Sequence, residues 1–599
     1  MSIIGADVFS IGLSGLNAAQ NALSITGNNI SNVNTAGYNA EYMTQASRTP
    51  VNAGFGYLGQ GVDATSVLRT YNQYLTSQVQ TTQAANSNYS TQYQQLQQIS
   101  NMIQNTTQSV SPAIQNFFSA MQTLTQQPNS VSSRQTVLGM AQNLATTMTS
   151  MNSQLVQIQQ GVNGQIQSTA QSINSIAQQI AALNQQIGAA TGGNPNGSQP
   201  NTLLDQRDQA VTQLNQLVGA SVSKNSDGSY NISIAGGQPL VVGTSTYALQ
   251  TQQDPNNPSN YLLNLAGPNN TLTPLPDNLF NGGQLTGLLN FRDGQLSQTQ
   301  NQLGSLAINF SAAMNYQNSV GMDLKGNVAT GATVPIFQDL SAYASKPQYA
   351  AGQFAVVMSD PTALACASNL APTGGAGGTG VTMSGVWSTI PGSVSTQMNQ
   401  TPPVLTTAAT HPSIGMTNMT ISASATNPVT MTATIAGGSA AGGPYNVVVD
   451  PNLPNAYKIQ TTANPAQDLG IGFQLSGNPA NGQTFTVGQA TSTAQSGDGN
   501  NLRQLTAQQN INLVNGQSYQ GYYSTMVASV GSTTSTVNLQ YQTSQTALQQ
   551  AQTNNSNASG VNLDQEAANL IKYQQSYQAC SKVIQIAQST FSTILNALS

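Results

Sequence analysis

Leu155, Ile158, Val162, Ile166, Thr169, Ile173, Ile176, Ile180, Leu183 and Ile187 follow one another at steps of 3, 4, 4, 3, 4, 3, 4, 3 and 4 residues. A seam with that spacing stays on one side of an α-helix and on no side of a strand. It commits the stretch to one long rod, with a four-residue stutter near Val162 that predicts local unwinding. Gln-rich helical pattern from about residue 72 to 190 surrounds the seam, and "GGNPNGSQPN" (192–201) ends it. "TLLDQRDQAVTQLNQLVG" then resumes with Leu204, Val211, Leu214 and Val218 on one face, so a helical hairpin is expected. Arg207 has no carboxylate three or four residues away; any partner has to come from another element.

Both ends of the chain are striped as well. Phe9, Leu13, Leu16, Leu23 and Ile30 sit at heptad-compatible spacings, beside a second seam of Ile4, Val8, Ile11 and Ile25. Leu563, Ala567, Leu570, Tyr577, Ile584, Phe591, Leu595 and Leu598 form a matching stripe, with Tyr573, Cys580, Val583, Ala587 and Ile594 as its companion. The two ends are natural partners, and two seams per helix ask for more than one neighbour. Asp564 and Glu566 suit the positive end of the last helix, at about 0.3–1 kcal/mol each.

From about residue 220 the period changes to two. Tyr230, Ile232 and Ile234 alternate after the turn Asp227-Gly228, and Leu240 and Val242 follow a glycine pair, which predicts a small β unit. Helical pattern returns at about 282–321. A Thr/Ser/Gly/Ala-rich stretch then runs to about 497 with strand-like pieces "QFAVVM", "TMTATI", "YNVVVD" and "QTFTVG". No Asp, Glu, Lys or Arg occurs between Asp360 and Asp450, so the expected β domain is decorated with hydroxyls rather than charge. Helix resumes from about 501.

The expected fold is therefore α+β, multidomain and elongated, with long coiled-coil-like helices from both termini and the middle and β-rich domains inserted. Residues 1–70 read as an N-terminal coiled-coil segment pairing with the C-terminus and 71–219 as a helical rod domain. A small β unit follows at 220–280, then a helical return segment at 281–345. A β-rich region spans 346–497 with a charge-free insertion near 370–470, and 498–599 read as C-terminal helices that complete the rod and the terminal coiled coil.

Charged residues make up only 5% of the chain, against a usual figure of about 25%. Gln, Asn, Ser and Thr supply solubility instead, and such side chains face water or a neighbouring subunit without the cost of burying a charge. That composition suits a surface made to assemble. The few lysines and arginines are scattered singly, so neither nucleic acid nor an anionic membrane surface is an expected partner. No apolar run reaches about 18 residues, and the first basic residue is Arg48, so no membrane span and no cleaved signal peptide are expected. Cys366 and Cys580 read as two separate small buried thiols.

Chemistry needs a nucleophile with a base, clustered carboxylates or metal ligands. His411, the one histidine, precedes a proline in a loop and reads as surface rather than as the base of a Ser-His-Asp site. The carboxylates are mostly isolated, and Asp205/Asp208 and Arg292/Asp293 read as structural ion pairs or caps. "GGAGG" (374–378) lacks the Lys-Ser/Thr of a phosphate loop. No enzyme, cofactor or metal is expected.

"GLSGLNAAQNALSITGNNISNVNTAGYNAE" nevertheless carries a specific pattern, Asn32, Asn34, Thr35, Gly37 and Tyr38. It resembles the N-terminal motif of the rod, hook and hook-associated axial proteins of the bacterial flagellum. That family usually continues with Ser/Thr-Arg, and Asn39-Ala40 stand here instead. "SGVNLDQEAANLIKYQQSYQACSKVIQIAQSTFSTILNAL" is similar to the C-terminal motif of the family's hook–filament junction branch, with Gln565 for the more usual Glu. "LLDQRDQAVTQL", "GQLTGLLNFRD", "GMDLKG", "SGNPANGQTFTV" and "GDGNNLRQL" are similar to segments of the same branch.

The resemblance implies a structural adaptor at the hook–filament junction of the flagellum, a ring of subunits in a short tubular zone needed for filament attachment and hence for motility. It implies as partners further copies of the chain, the hook protein, a second hook–filament junction protein, and a flagellar export chaperone at the C-terminal helix. It also implies export through the flagellar type III apparatus without a cleaved signal. The assembly residues it points to are Leu13, Leu16, Leu23, Ile30, Asn32, Asn34, Thr35, Gly37 and Tyr38 at the start, and Leu563, Leu570, Tyr573, Tyr577, Ile584, Phe591, Leu595 and Leu598 at the end. In the opening turn, the asparagines and Thr35 can satisfy helix-end carbonyls, Gly37 can take a positive φ, and Tyr38 can anchor the departing chain. Other readings are a hook protein-like component, or a secreted adhesin acting through the 370–470 insertion.

Overall fold

The structure, a computed structural model, describes residues 3–52, 56–103, 109–192, 199–267, 271–327, 334–376, 380–400, 411–424, 430–451, 453–491 and 497–598. The side chains of 3–7, 594 and 598 are outside that description, as are 193–198 of the expected helix break and Gly377-Gly378 of the glycine run. The chain opens with helix α1 (Ile3–Ser31) and strands β1 (Glu41–Ser47), β2 (Val51–Asn52), β3 (Tyr57–Leu58) and β4 (Val62–Arg69). Helices α2 (Gln73–Ile103), α3 (Val110–Leu124), α4 (Val131–Ala190) and α5 (Asn201–Leu217) follow. Next come β5 (Ser221–Lys224), β6 (Tyr230–Ile234), β7 (Gln238–Val242), β8 (Ser245–Thr246), β9 (Ala248–Gln253), β10 (Tyr261–Ala266) and β11 (Leu272–Leu275). Helix α6 (Gly283–Phe291) passes through a π turn into α7 (Ser297–Ser319) and β12 (Gly321–Met322). The long β region holds β13 (Ala367–Ser368), β14 (Leu370–Ala376), β15 (Met383–Ser388), α8 (Gly392–Met398), β16 (Met416–Ser424), β17 (Thr430–Gly437), β18 (Gly442–Val449), β19 (Ala456–Gln460), β20 (Asp468–Leu475) and β21 (Thr484–Gln489). Helices α9 (Asn500–Ala507), α10 (Tyr519–Ser559) and α11 (Leu563–Leu598) close it.

These elements form two compact units, one of residues 1–95, 160–291 and 535–599, the other of 96–159 and 292–534. In the first, α4 buries Val162, Ile166, Thr169, Ile173, Ile180, Leu183 and Ile187, the seam read from the sequence, and the helix runs unbroken past Val162. The stutter does not interrupt the helix; its hydrogen bonds continue through it. Amides on the same helix dock the small sheets. Asn184 Nδ2 donates to the carbonyls of Tyr230 and Gly243, while Asn174 exchanges two hydrogen bonds with the backbone of Leu249. Each amide takes the place of a neighbouring strand and leaves no buried backbone group open there. An element absent from the sequence reading also lies here: β1 and β4 pair antiparallel into a ribbon with a bulge at Thr44/Gln45, and the ribbon packs on α1.

The second unit has an aromatic centre. Phe117 and Phe118 of α3 meet Phe310 of α7, which lies 4.9 Å from Tyr519, and Phe337 stacks on Phe354 at 4.9 Å. "QFAVVM" supplies no strand to it, since Val356 makes only an isolated bridge to Phe337. "TMTATI", "YNVVVD" and "QTFTVG" do form strands, in an eight-stranded antiparallel sheet ordered β14-β21-β16-β17-β18-β19-β20-β15. The sheet curls until its end strands β14 and β15 lie side by side with no ladder between them among the described residues. Met419, Ile421, Ala433, Ile435, Phe473, Phe485 and Val487 fill its interior, while Ser422, Ser424, Thr430, Thr432 and Thr434 point outward. Period-two alternation of Thr or Ser with apolar residues produces that division directly.

His411 sits at the base of this sheet and is 1% exposed, not on the surface. Its Nε2 lies 2.6 Å from the Thr389 carbonyl and its Nδ1 2.7 Å from Ser413 Oγ, and Ser413 Oγ is bonded in turn to Asn369 and Ser388. Gln317 of α7 donates to the Ser388 carbonyl and to Asn501 of α9, so the sheet is rooted on the helices by a connected chain of polar groups. Pro412 opens the turn that leads into β16 and does not force exposure; the buried imidazole is tolerated because both ring nitrogens have partners. Burial depresses its pKa to about 4, with bonds to Thr389 and Gly470 opposing the shift.

Candidate assembly interface

The first and last helices do pack together: α11 meets α1 through Cys580, Val583 and Ile584 of its stripes, while α1 answers with its smallest residues rather than with either of its apolar seams. A Cβ added to Gly12 would lie 2.9 Å from Ile584 Cγ1, and one added to Gly15 would lie 2.7 Å from Cys580 Sγ. Ala18, Ala19, Ala22 and Thr26 continue the buried face of α1. Small residues let helix axes approach closely, so the contact within the chain uses the seam with least side chain. The two ends pair as expected, and the correction concerns α1 alone: Gly12 and Gly15, not Leu13 or Leu16, face α11.

Much of the large apolar surface faces outward. Leu13 is 42% exposed, Leu563 50%, Phe591 60% and Leu595 53%; Phe9, Leu570 and Tyr577 are exposed too. Leu16, Leu23, Ile30, Tyr573 and Ile584 are half-buried, and the side chain of Leu598 is outside the described residues. Ile571 and Ile586, which belong to neither stripe, are exposed on the opposite side of α11. Covering such half-exposed side chains is worth about 1 kcal/mol apiece. The several on α11 together reach the scale of the roughly 4–15 kcal/mol that association costs.

The asparagine-rich turn is a knot of hydrogen bonds centred on a residue the sequence reading passed over. Asn29 is 1% exposed; its Oδ1 accepts from Tyr38 Oη at 2.8 Å and from the Glu41 amide at 2.9 Å. Its Nδ2 donates to the Glu41 carbonyl at 2.9 Å and to Glu566 Oε1 of α11 at 3.1 Å. Asn32 bonds back to Asn28, and Thr35 Oγ1 donates to Asn32 Oδ1. Asn34 is exposed. Gly37 adopts φ +81°, and a Cβ there would meet Gln209 Oε1 at 2.8 Å, so a side chain is both strained and crowded. The Tyr38 hydroxyl is raised well above its usual range by burial first, then by Glu41, Asp205 and Glu566.

From this knot the chain is fastened to the rod. Asn39 gives its backbone N–H and its Nδ2 to Asp205 of α5 at 3.0 and 2.6 Å, and Arg69 at the end of the ribbon lies 2.7 Å from both Asp205 and Asp208. Tyr230 Oη donates to Asp208 Oδ1, and the Arg207 guanidinium lies 3.4 Å over the Tyr230 ring while donating to Asn184 and to the Gly228 carbonyl. Arg207 thus takes its partners from α4 and β6, with an aromatic face in the place of a carboxylate. The Ala40 amide donates to the Ser559 carbonyl, which ties the turn to the joint between α10 and α11. Nothing in sequence points from Arg69 to Asp205, 136 residues away. The Gly12, Gly15, Ala19 and Ala22 spacing, by contrast, is visible once small residues are counted as a seam. Cys366 is buried and Cys580 half-buried, both as free thiols. No cluster of metal-ligating side chains occurs among the described residues.

The coiled pair of first and last helices, closed by the Asn-rich turn, falls on the two segments by which the chain matches flagellar axial proteins. The family models for the flagella basal body rod protein and the flagellar basal body rod FlgEFG protein C-terminal match residues 9–39 and 552–597. Between them, the model for the flagellar hook-associated protein FlgK helical domain matches residues 96–334. Flagellar hook-associated protein 1 of Salmonella typhimurium is 30% identical over 588 residues, 98% of each chain, and that of Escherichia coli K12 is 30% identical over 610 residues, again 98% of each. The flagellar hook junction protein FlgK of Burkholderia pseudomallei, a solved structure, superposes with a TM-score of 0.60 at 26% identity, over 80% of this chain and 98% of that one. The chain belongs to the flagellar hook-associated protein 1 family. It is an α+β structural component of the flagellum.

Proposed function

We propose that this chain is the adaptor of the hook–filament junction, assembling through its terminal helices into a short tubular zone on which the filament is attached. The observation that carries the reading is the apolar surface of α1 and α11 that stays exposed among the described residues. Further copies cover part of it in the ring, and the hook protein below and a second junction protein above are its neighbours along the tube. Before assembly, an export chaperone holds the C-terminal helix, whose exposed Leu563, Leu570, Phe591 and Leu595 would otherwise draw free copies together. Export proceeds through the flagellar type III apparatus without a cleaved signal. The role is structural rather than catalytic: the one histidine is walled in, with both nitrogens engaged.

Deleting residues 560–599 tests the reading. Cells carrying the deletion should keep hooks and shed flagellin into the medium; filaments of normal length on their hooks would refute it. Removing the curled sheet whole, 370–489, should leave motility intact if the adaptor reading holds and lost motility would count against it, whereas lost surface binding would favour an adhesin.

A further inference from the structure

Strand β5 is the outer strand of its sheet, and all of its residues are exposed. Its register shows what the free edge offers. The Asn225 N–H donates to the Ser229 carbonyl at 2.9 Å, and the same ladder pairs Ser223 with Asn231 and Ser221 with Ser233. Bonded and unbonded pairs alternate in an antiparallel ladder, so Val222 and Lys224 turn their N–H and C=O groups away from β6. Among the described residues neither backbone has another hydrogen-bond partner. This edge borders a cleft of about 740 Å³, within the range of about 300–1,000 Å³ usual for binding sites. Tyr71 and the start of α2 line the cleft as well. So do Asn201 and Arg207 of α5, both almost fully buried, and each holds a polar atom, Oδ1 and Nε, with no hydrogen-bond partner among the described residues. The charges in the lining are unevenly answered. Arg69 is met by Asp205 and Asp208, and Asp227 accepts from the Ser229 amide and hydroxyl, whereas Lys224 has no ion partner among the described residues.

We propose that this cleft takes an extended, acidic peptide segment of a partner protein, which adds to β5 as a further strand and sets an Asp or Glu opposite Lys224. A peptide backbone carries a donor and an acceptor at every residue, which is what the outward groups of Val222 and Lys224 and the open atoms of Arg207 and Asn201 call for together. A small anion would answer Lys224 alone. Main-chain bonds along such an edge supply affinity, and the side chains beside it supply selection. A lysine on an edge strand blunts chance pairing, and the same charge favours an acid directly across the ladder over a base.

The test uses the full chain and two end-capped fluorescent peptides, Thr-Val-Glu-Val-Thr and Thr-Val-Lys-Val-Thr, followed by anisotropy. The chain should bind the Glu peptide in preference to the Lys peptide, and Lys224→Glu should reverse that order. Proline is accepted on an edge strand where its nitrogen faces outward, so Val222→Pro keeps the β5–β6 ladder and deletes one outward donor. It should weaken the Glu peptide about five-fold with circular dichroism unchanged. Should that variant misfold, a Glu peptide N-methylated at alternate residues carries the same test on the unaltered chain, and one of its two methylation registers should fail to bind. Failure of the Glu peptide to bind at millimolar concentration, or equal binding of the two peptides, overturns the proposal. Full displacement by free glutarate, or indifference to both methylation registers, would mean an anion site without strand addition and overturns it equally. Dimers of the free chain that Val222→Pro dissolves would give the edge to a second copy, again against the proposal.

Discussion

Arg69 holds two buried carboxylates at once, and its neighbours are arranged around that fact. Burial alone would lower its pKa, yet Asp208 and Asp205 outweigh the effect and the group stays charged. Replacing Arg69 with Ala leaves Asp205 and Asp208 buried together without a cation, which should cost about 3–5 kcal/mol, read as a lowered denaturation midpoint. Adding Asp205→Asn and Asp208→Asn should recover much of the loss. His411 gives a second prediction, with a defined sign. A histidine whose folded pKa is held at about 4, below its unfolded value of about 6.5, stabilises fully above pH 6.5 and loses that contribution as pH falls toward 4. The drop amounts to about 3 kcal/mol, followed by fluorescence of Trp387, the chain's one tryptophan, which is buried beside Ser388. Asp468 and Asp498, raised by burial, act in the opposite sense, so the comparison is with His411→Gln, which should flatten the slope between pH 7 and 4.5. At this scale the sequence is only partly legible. Asn32, Thr35, Gly37 and Tyr38 stand out by pattern, whereas Asn29 and Arg69 gain their roles from groups that only folding brings near.

At the scale of elements, periodicity was a sound guide wherever one face is buried. The seam of α4, apart from the half-buried Ile158 and Ile176, and the Thr-x-Thr strands of the curled sheet follow it. It failed for the ribbon of β1 and β4, which is largely solvated, packs on α1 and is bonded to α5 only near its end, so no alternation marks it. It misled on α1, where the largest side chains attract attention and the contact with Cys580, Val583 and Ile584 is made by the smallest. Gly15→Val should therefore separate α1 from α11, because the added methyls fall on Cys580. Hydrogen exchange should quicken across 563–598 while protection in the curled sheet is unchanged. Equal protection of α11 in the variant would show that close approach at Gly15 is dispensable.

For the whole molecule, scarcity of charge decides what kind of surface remains. With 12 basic and 17 acidic residues in 599, the outward faces are amide, hydroxyl and, on the terminal helices, apolar. Free subunits should bind an environment-sensitive apolar dye, and Ile571→Ser, Ile586→Ser and Phe591→Ser together should reduce that signal without changing helicity by circular dichroism. Unchanged dye binding would locate the sticky surface elsewhere.

The bond from the Ala40 amide to Ser559 and the one from Asn29 to Glu566 join the beginning of the chain to its last tenth. A ribosome that releases a product short of residue 560 leaves the opening helix without its mate. In the proposed junction such a copy would present an unfinished tip, so the closure would select for full-length chains.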